Sequence, residues 1–149
     1  MTEPIEQQRL EAIDVLVGEW AMSSSLGPGE ADGGPRARTT FDWLPGRRFL
    51  IQRWEVDHPA APDGIAIIGF DAERATLLQH YFDARGVARV YDMTLDCGLW
   101  TLHRLAAPPD FSQRFQATVA PDSIVGRWES SPDGAAWSLD FDLVYTRVQ

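Results

Sequence analysis

Hydrophobic positions change their period once along this chain of 149 residues. Leu10, Ile13 and Val17 recur at helical spacing, and Gly18 ends the run. Pro4 suits a first helical turn, where its missing N–H would be unpaired in any case. One amphipathic helix over about residues 4–16 is predicted. From Gly18 onward the apolar residues alternate with polar ones in short stretches, and no second helical period follows. Strands are predicted at about 18–26, 36–44, 48–57, 64–71, 76–83, 87–96, 99–105, 111–120, 123–130 and 136–147.

The connections carry turn chemistry. Pro45-Gly46, Asp83-Ala84-Arg85-Gly86, Pro121-Asp122 and Pro132-Asp133-Gly134 supply the fixed φ, the side-chain cap or the positive φ that tight hairpins need. Gly27 to Pro35 is the longest irregular stretch and is predicted to be a mobile loop between the first two strands, a solvated connection with no role or, alternatively, a lid over one barrel mouth. Alternation orients several strands. Trp137, Leu139, Phe141, Leu143 and Tyr145 share a face predicted to point inward, opposite Ser138, Asp140, Asp142 and Thr146. Tyr91 and Met93, Phe111, Gln113 and Phe115, and Trp128 are predicted inward by the same test. The stretches around 50–56 and 64–82 are apolar on both faces, so alternation alone leaves their orientation open.

Ten sequential antiparallel strands with one buried face either stack as two sheets or close on themselves, and closure removes both exposed edges. The sequence therefore predicts an all-β protein: a single antiparallel meander of about ten strands closed into a barrel over about 18–148, with one short N-terminal helix, forming one domain. A barrel of that size has room for one small ligand unless aromatic side chains fill it.

The net charge of −9 sets nucleic acid and anionic membranes aside as partners, because both are bound through Lys and Arg. No stretch approaches the roughly 20 apolar residues that span a bilayer, and the N-terminal segment lacks a basic region leading into an apolar one. Cytoplasmic location is the expectation. Cys97 is the only cysteine, so no internal disulfide forms; it is read as a buried, inert thiol.

Gly18-Glu19-Trp20 opens the first strand directly after the helix and Tyr145-Thr146-Arg147 closes the last, which resembles the lipocalin and calycin pattern. That resemblance implies a Trp20 that plugs one end of the barrel beneath Arg147, a guanidinium stacked on an indole. The C-terminal third is similar to the DUF1579 group of lipocalin-like bacterial proteins. The residues concerned are Phe111 to Phe115, Gly126-Arg127-Trp128-Glu129-Ser130, Asp133-Gly134, Trp137 and Asp140 to Arg147. The group is largely of unknown function, so membership implies a fold and no reaction. The nitrobindins, a neighbouring family of ten-stranded barrels, bind haem through one His. Here Ala21-Met22-Ser23-Ser24-Ser25 stands where that family has a Gly-rich segment.

Candidate chemistry is sparse. His58, His80 and His103 lie on three segments without metal-ligand spacing, so no metal site is predicted. His80, within the apolar run Leu77 to Phe82, is the one histidine that would serve as a haem ligand or general base if it faced inward. Asp42, Asp92, Asp140 and Asp142 read as outward partners of apolar faces, which gives no carboxylate pair for acid–base work. Ser23-Ser24-Ser25 lacks a nucleophile elbow, and Gly27-Pro28-Gly29 and Gly33-Gly34 precede a strand rather than a helix, which excludes a phosphate loop.

What remains is a pocket signature: many aromatics with a few polar groups on inward positions, here Gln52, Trp54, His80, Tyr91, Gln113 and Trp128. The sequence predicts a barrel that binds a small, mostly apolar or amphipathic molecule, needs no cofactor and has no catalytic residue. The alternatives are a haem protein or enzyme using His80, and a filled barrel with a structural role, paired as a homodimer.

Overall fold

The computed structural model describes residues 2–24, 36–58 and 61–148. The predicted loop, Gly27 to Pro35, lies outside them. Helix α1 (Thr2–Ile13) runs into a single 3-10 turn (Asp14–Leu16) and is followed by ten strands. They are β1 (Gly18–Ser24), β2 (Arg36–Trp43), β3 (Phe49–Val56), β4 (Gly64–Asp71), β5 (Thr76–Asp83), β6 (Ala88–Asp96), β7 (Leu99–Arg104), β8 (Ser112–Val119), β9 (Ser123–Ser131) and β10 (Ser138–Arg147). Each strand pairs antiparallel with the next, and β1 pairs with β10, so the meander closes as a barrel with no free edge.

An antiparallel meander sends alternate connections to opposite ends. The turns 44–48, 72–75, 97–98 and 120–122 lie at one end, the floor, together with the start of β1 and the end of β10. The connection residues 57–58 and 61–63, 84–87, 105–111 and 132–137 lie at the other, the mouth. Helix α1 packs across the floor against β4, β5 and β6. It buries Leu10 and Ile13, and the 3-10 turn buries Leu16. Leu16 takes the place that helical spacing assigned to Val17, because the chain tightens into the 3-10 turn after Ile13 and advances its last apolar residue.

Two further expectations change. Cys97 is exposed, not buried. It and Gly98 are the two central residues of the β6–β7 hairpin, with φ of 51° and 79°, the left-handed pair that a two-residue hairpin matched to strand twist requires. On β10, the pairing shifts between Leu139 and Phe141, so Asp140 is an extra residue in a bulge. The alternation therefore breaks: Phe141, Leu143 and Tyr145 stay with the core, whereas Leu139 is 53% exposed. Trp137 lies outside the strand, beneath the Arg114 guanidinium at 4.2 Å.

Candidate functional site

The floor is sealed by a set of contacts built on Trp20. Its indole is fully buried, its Nε1–H donates to Leu16 O at 2.9 Å, and the Arg147 guanidinium lies 4.1 Å over its ring. Arg147 also donates to Val17 O, Val15 O and Pro121 O, so one side chain joins the 3-10 turn, the residue that links it to β1 and the β8–β9 turn. Gly18 makes room for it: φ there is +130°, and a Cβ would stand 2.6 Å from the guanidinium nitrogen. A clasp on the outer side completes the seal, as Asp14 accepts from Trp43 Nε1 at 2.7 Å and from Arg47 at 3.0 Å. These two donors hold the Asp14 carboxyl below its ordinary pKa.

Above this floor the barrel is not filled. A cavity of about 390 Å³ opens toward the mouth. Aromatic contacts run along its wall from bottom to top. Tyr145 and Trp100 are 6.0 Å apart, Trp100 and Phe115 5.0 Å, Phe115 and Trp128 5.1 Å, and Trp128 and Tyr91 5.5 Å. Trp54 stacks on Tyr81 at 5.4 Å across the mouth and donates to Pro62 O. Gly64 permits that placement, since a Cβ there would fall 2.3 Å from the Trp54 ring.

The polar groups fall in two zones. Toward the floor lie Gln52, Gln79, Trp100 and Tyr145, all uncharged and all buried. Gln52 donates to Thr39 Oγ1 at 3.1 Å and also bonds the Tyr145 hydroxyl. Burial pushes the Tyr145 pKa up to about 12, a rise that the Gln52 bond partly offsets. Gln79 Oε1 and Trp100 Nε1, by contrast, are buried without a hydrogen-bond partner. Higher up, Tyr91 donates to Gln113 Oε1 at 2.8 Å; burial raises its pKa against the pull of Arg89 and Arg104.

The charged groups that line the cavity, Arg85, Arg89 and Asp140, all belong to the mouth. Arg85 pairs with Asp83 at 2.7 Å, and Asp83 also accepts from Tyr81 at 2.6 Å. The Arg85 bonds hold Asp83 well below the usual carboxylate range, while burial and Asp83 push Tyr81 up. Arg89 lies 5.1 Å over the Phe111 ring. The bulge turns Asp140 to the cavity rim, where partial desolvation raises its pKa; the sequence pattern had placed it on the outer face.

Of the residues singled out from the sequence, Gln52, Trp54, Tyr91, Gln113 and Trp128 line this one cavity. His80 does not. It is exposed on the outer face of β5, while Leu77, Gln79 and Tyr81 turn inward. The cause is pairing: Gln79 stands opposite Tyr91, and directly opposed residues share a face. The hairpin turn held this information. Asp83 N–H bonds Val87 O, and counting back equally along β5 and β6 from that pair reaches Gln79 and Tyr91. Gln79 and Tyr81 were legible in that way. Asp140 was not, because nothing in the alternation of β10 marks the bulge.

No protein-family model matches the sequence, and no curated protein matches it. Solved structures do resemble it. Rv2717c from M. tuberculosis has a TM-score of 0.67 at 14% identity, over 95% of this chain and 98% of that one. Fatty-acid-binding protein 1 from Echinococcus granulosus has a TM-score of 0.62 at 9% identity, over 91% of this chain and 99% of that one. At these identities the likeness is one of fold, a closed ten-stranded barrel of the fatty-acid-binding-protein kind.

Proposed function

We propose that this barrel binds a small, mostly apolar or amphipathic molecule in its interior, with the aromatic wall supplying contact area and the inner polar groups fixing orientation. The observation that carries this reading is the cavity itself: about 390 Å³, within the size range of small-molecule sites and walled by aromatic rings. A barrel with a purely structural role would close such a void with larger side chains, since unfilled core volume costs stability. The barrel resemblance to a fatty-acid-binding protein agrees with this reading. The reading that used His80 for haem or catalysis loses its residue, which faces away from the cavity. Placement of the chain in the DUF1579 group is part of the same proposal and rests on the C-terminal motifs. A cytoplasmic location is proposed on the lone cysteine; no helix among the described residues is long and apolar enough to cross a membrane.

Native mass spectrometry of protein purified gently from its own cells tests the proposal. The expected result is an added mass in the small-molecule range that disappears in Ala37→Trp, which places an indole in the mouth at a cavity-lining position. A bare chain mass, together with failure to take up the neutral dye Nile red, would overturn it.

A further inference from the structure

Three arginines stand at the mouth end of β5, β6 and β7, and two of them are committed to carboxylates. Arg85 pairs with the buried Asp83 carboxylate at 2.7 Å. Arg104 donates to both Asp110 oxygens, at 3.0 and 3.2 Å, and to Phe111 O at 2.8 Å. Arg89 differs. Its guanidinium and that of Arg104 lie over the Phe111 ring at 5.1 and 5.6 Å, and both act on the Tyr91 hydroxyl. The Arg89 charge is also felt at Asp110, yet among the described residues no carboxylate stands within ion-pair distance of it. Arg89 is partly buried, lines the cavity and shares the inward face of β6 with Tyr91. The chain carries 22 acidic residues against 13 basic ones, so an arginine turned to the cavity without an acid beside it is the exception in its charge pattern.

The mouth is polarised across its width. Asp140, the one acidic residue on the cavity wall among the described residues, belongs to β10, four strands from β6 in the ring of ten and so on the far wall from Arg89. A charge held partly out of water is costly until an opposite charge meets it, and aromatic surroundings strengthen the attraction when one does. A guanidinium offers a fork of N–H donors that matches two oxygens of one carboxylate, and such charge-assisted bonds are about twice as strong as neutral ones. Resting on the binding function proposed above, we infer that the ligand carries a carboxylate-type anionic head, held at the mouth by Arg89 beside the Phe111 ring, with its apolar body directed inward along Tyr91, Trp128 and Phe115. Arg89 is the second residue of β6, at its mouth end, so the cavity lies below whatever it holds and the head keeps contact with water. The ligand thus enters tail first.

Calorimetric titration with decanoate, decanol and Nile red tests this on the wild-type protein and on Arg89→Gln and Arg85→Gln. In the wild type decanoate should bind ~10-fold more tightly than decanol at neutral pH, and the preference should shrink as salt is raised. Arg89→Gln should remove the preference by weakening decanoate ~10-fold, while Nile red uptake, unchanged, reports an intact cavity. Arg85→Gln should weaken decanoate by less than ~3-fold, because that charge is already paired with Asp83. Nile red or decanol binding with decanoate no tighter than decanol would overturn the anionic head and leave the cavity function standing. The same holds for a decanoate preference that survives Arg89→Gln, or that is lost in Arg85→Gln instead, either of which removes the head from Arg89. The wild-type comparison stands whether or not the variants fold. Failure of all three probes to bind would remove both the function and this inference.

Discussion

The two ends of the barrel are built from the same hairpins and differ in what their side chains are committed to. At the floor the sealing groups are engaged within the protein: Trp20 with Leu16 and Arg147, Arg147 with three carbonyls, Asp14 with Trp43 and Arg47. Toward the mouth the aromatic rings touch each other on one side and empty space on the other. The floor side chains are therefore committed to one another, whereas the mouth half leaves aromatic surface for the proposed ligand. Packing and the proposed binding would compete for the same apolar surface, and the two are set apart along the barrel axis.

That division is open to direct attack. The largest effect is expected from Trp20→Ala, which removes a fully buried indole and the platform for Arg147; denaturant unfolding should show a loss of ~3–5 kcal/mol. A comparably small loss from this change would mean that the floor is not where stability resides.

Next comes alkaline pH. Tyr145 keeps its proton until about pH 12 in the folded protein, above the ordinary value near 10. A raised folded pKa means its contribution is complete below about pH 10 and is lost as pH rises toward 12, by ~3 kcal/mol for a shift of about two units. Tyr145→Phe should flatten this alkaline decline, and an unchanged slope would remove Tyr145 as its cause.

The mouth should respond more weakly and at the other end of the pH scale. Asp83 has a lowered folded pKa, so the stability it contributes is present above about pH 4 and is lost as pH falls below that value. Asp83→Asn should cost about 1 kcal/mol at neutral pH, since Arg85 is 57% exposed and its pairing is screened, and should diminish the acid-side loss. Finally, His80→Ala should change stability by less than ~0.5 kcal/mol and leave Nile red uptake unaltered, as befits an exposed side chain on the outer wall.

How much of this was visible beforehand varies with the kind of contact that decides it. The ten strands begin and end within a few residues of where alternation and turn chemistry put them, since Gly46, Gly86 and Gly134 adopt the positive φ that such turns demand. Tyr91, Gln113 and Trp128, whose neighbours along the strand mark an outer face, line the cavity, and Gln52 and Trp54 line it too, on a stretch whose phase alternation leaves open. His80 was misplaced and Gln79 missed because Leu77 to Phe82 is apolar on both faces, and a strand without a polar side has no phase of its own.

Sequence alone therefore determined what depends on neighbours along the chain: the helix, the strands and their hairpins, while the stacking of Arg147 on Trp20 was implied by the calycin resemblance. Tertiary structure decided what depends on neighbours across it. The phase of β5 follows from its pairing with β6, the turn of Asp140 to the rim follows from a bulge against β9, and the cavity is the small difference between the volume the closed barrel encloses and the volume its inward side chains fill. Such a difference is a sum over all ten strands at once, and no local pattern carries it.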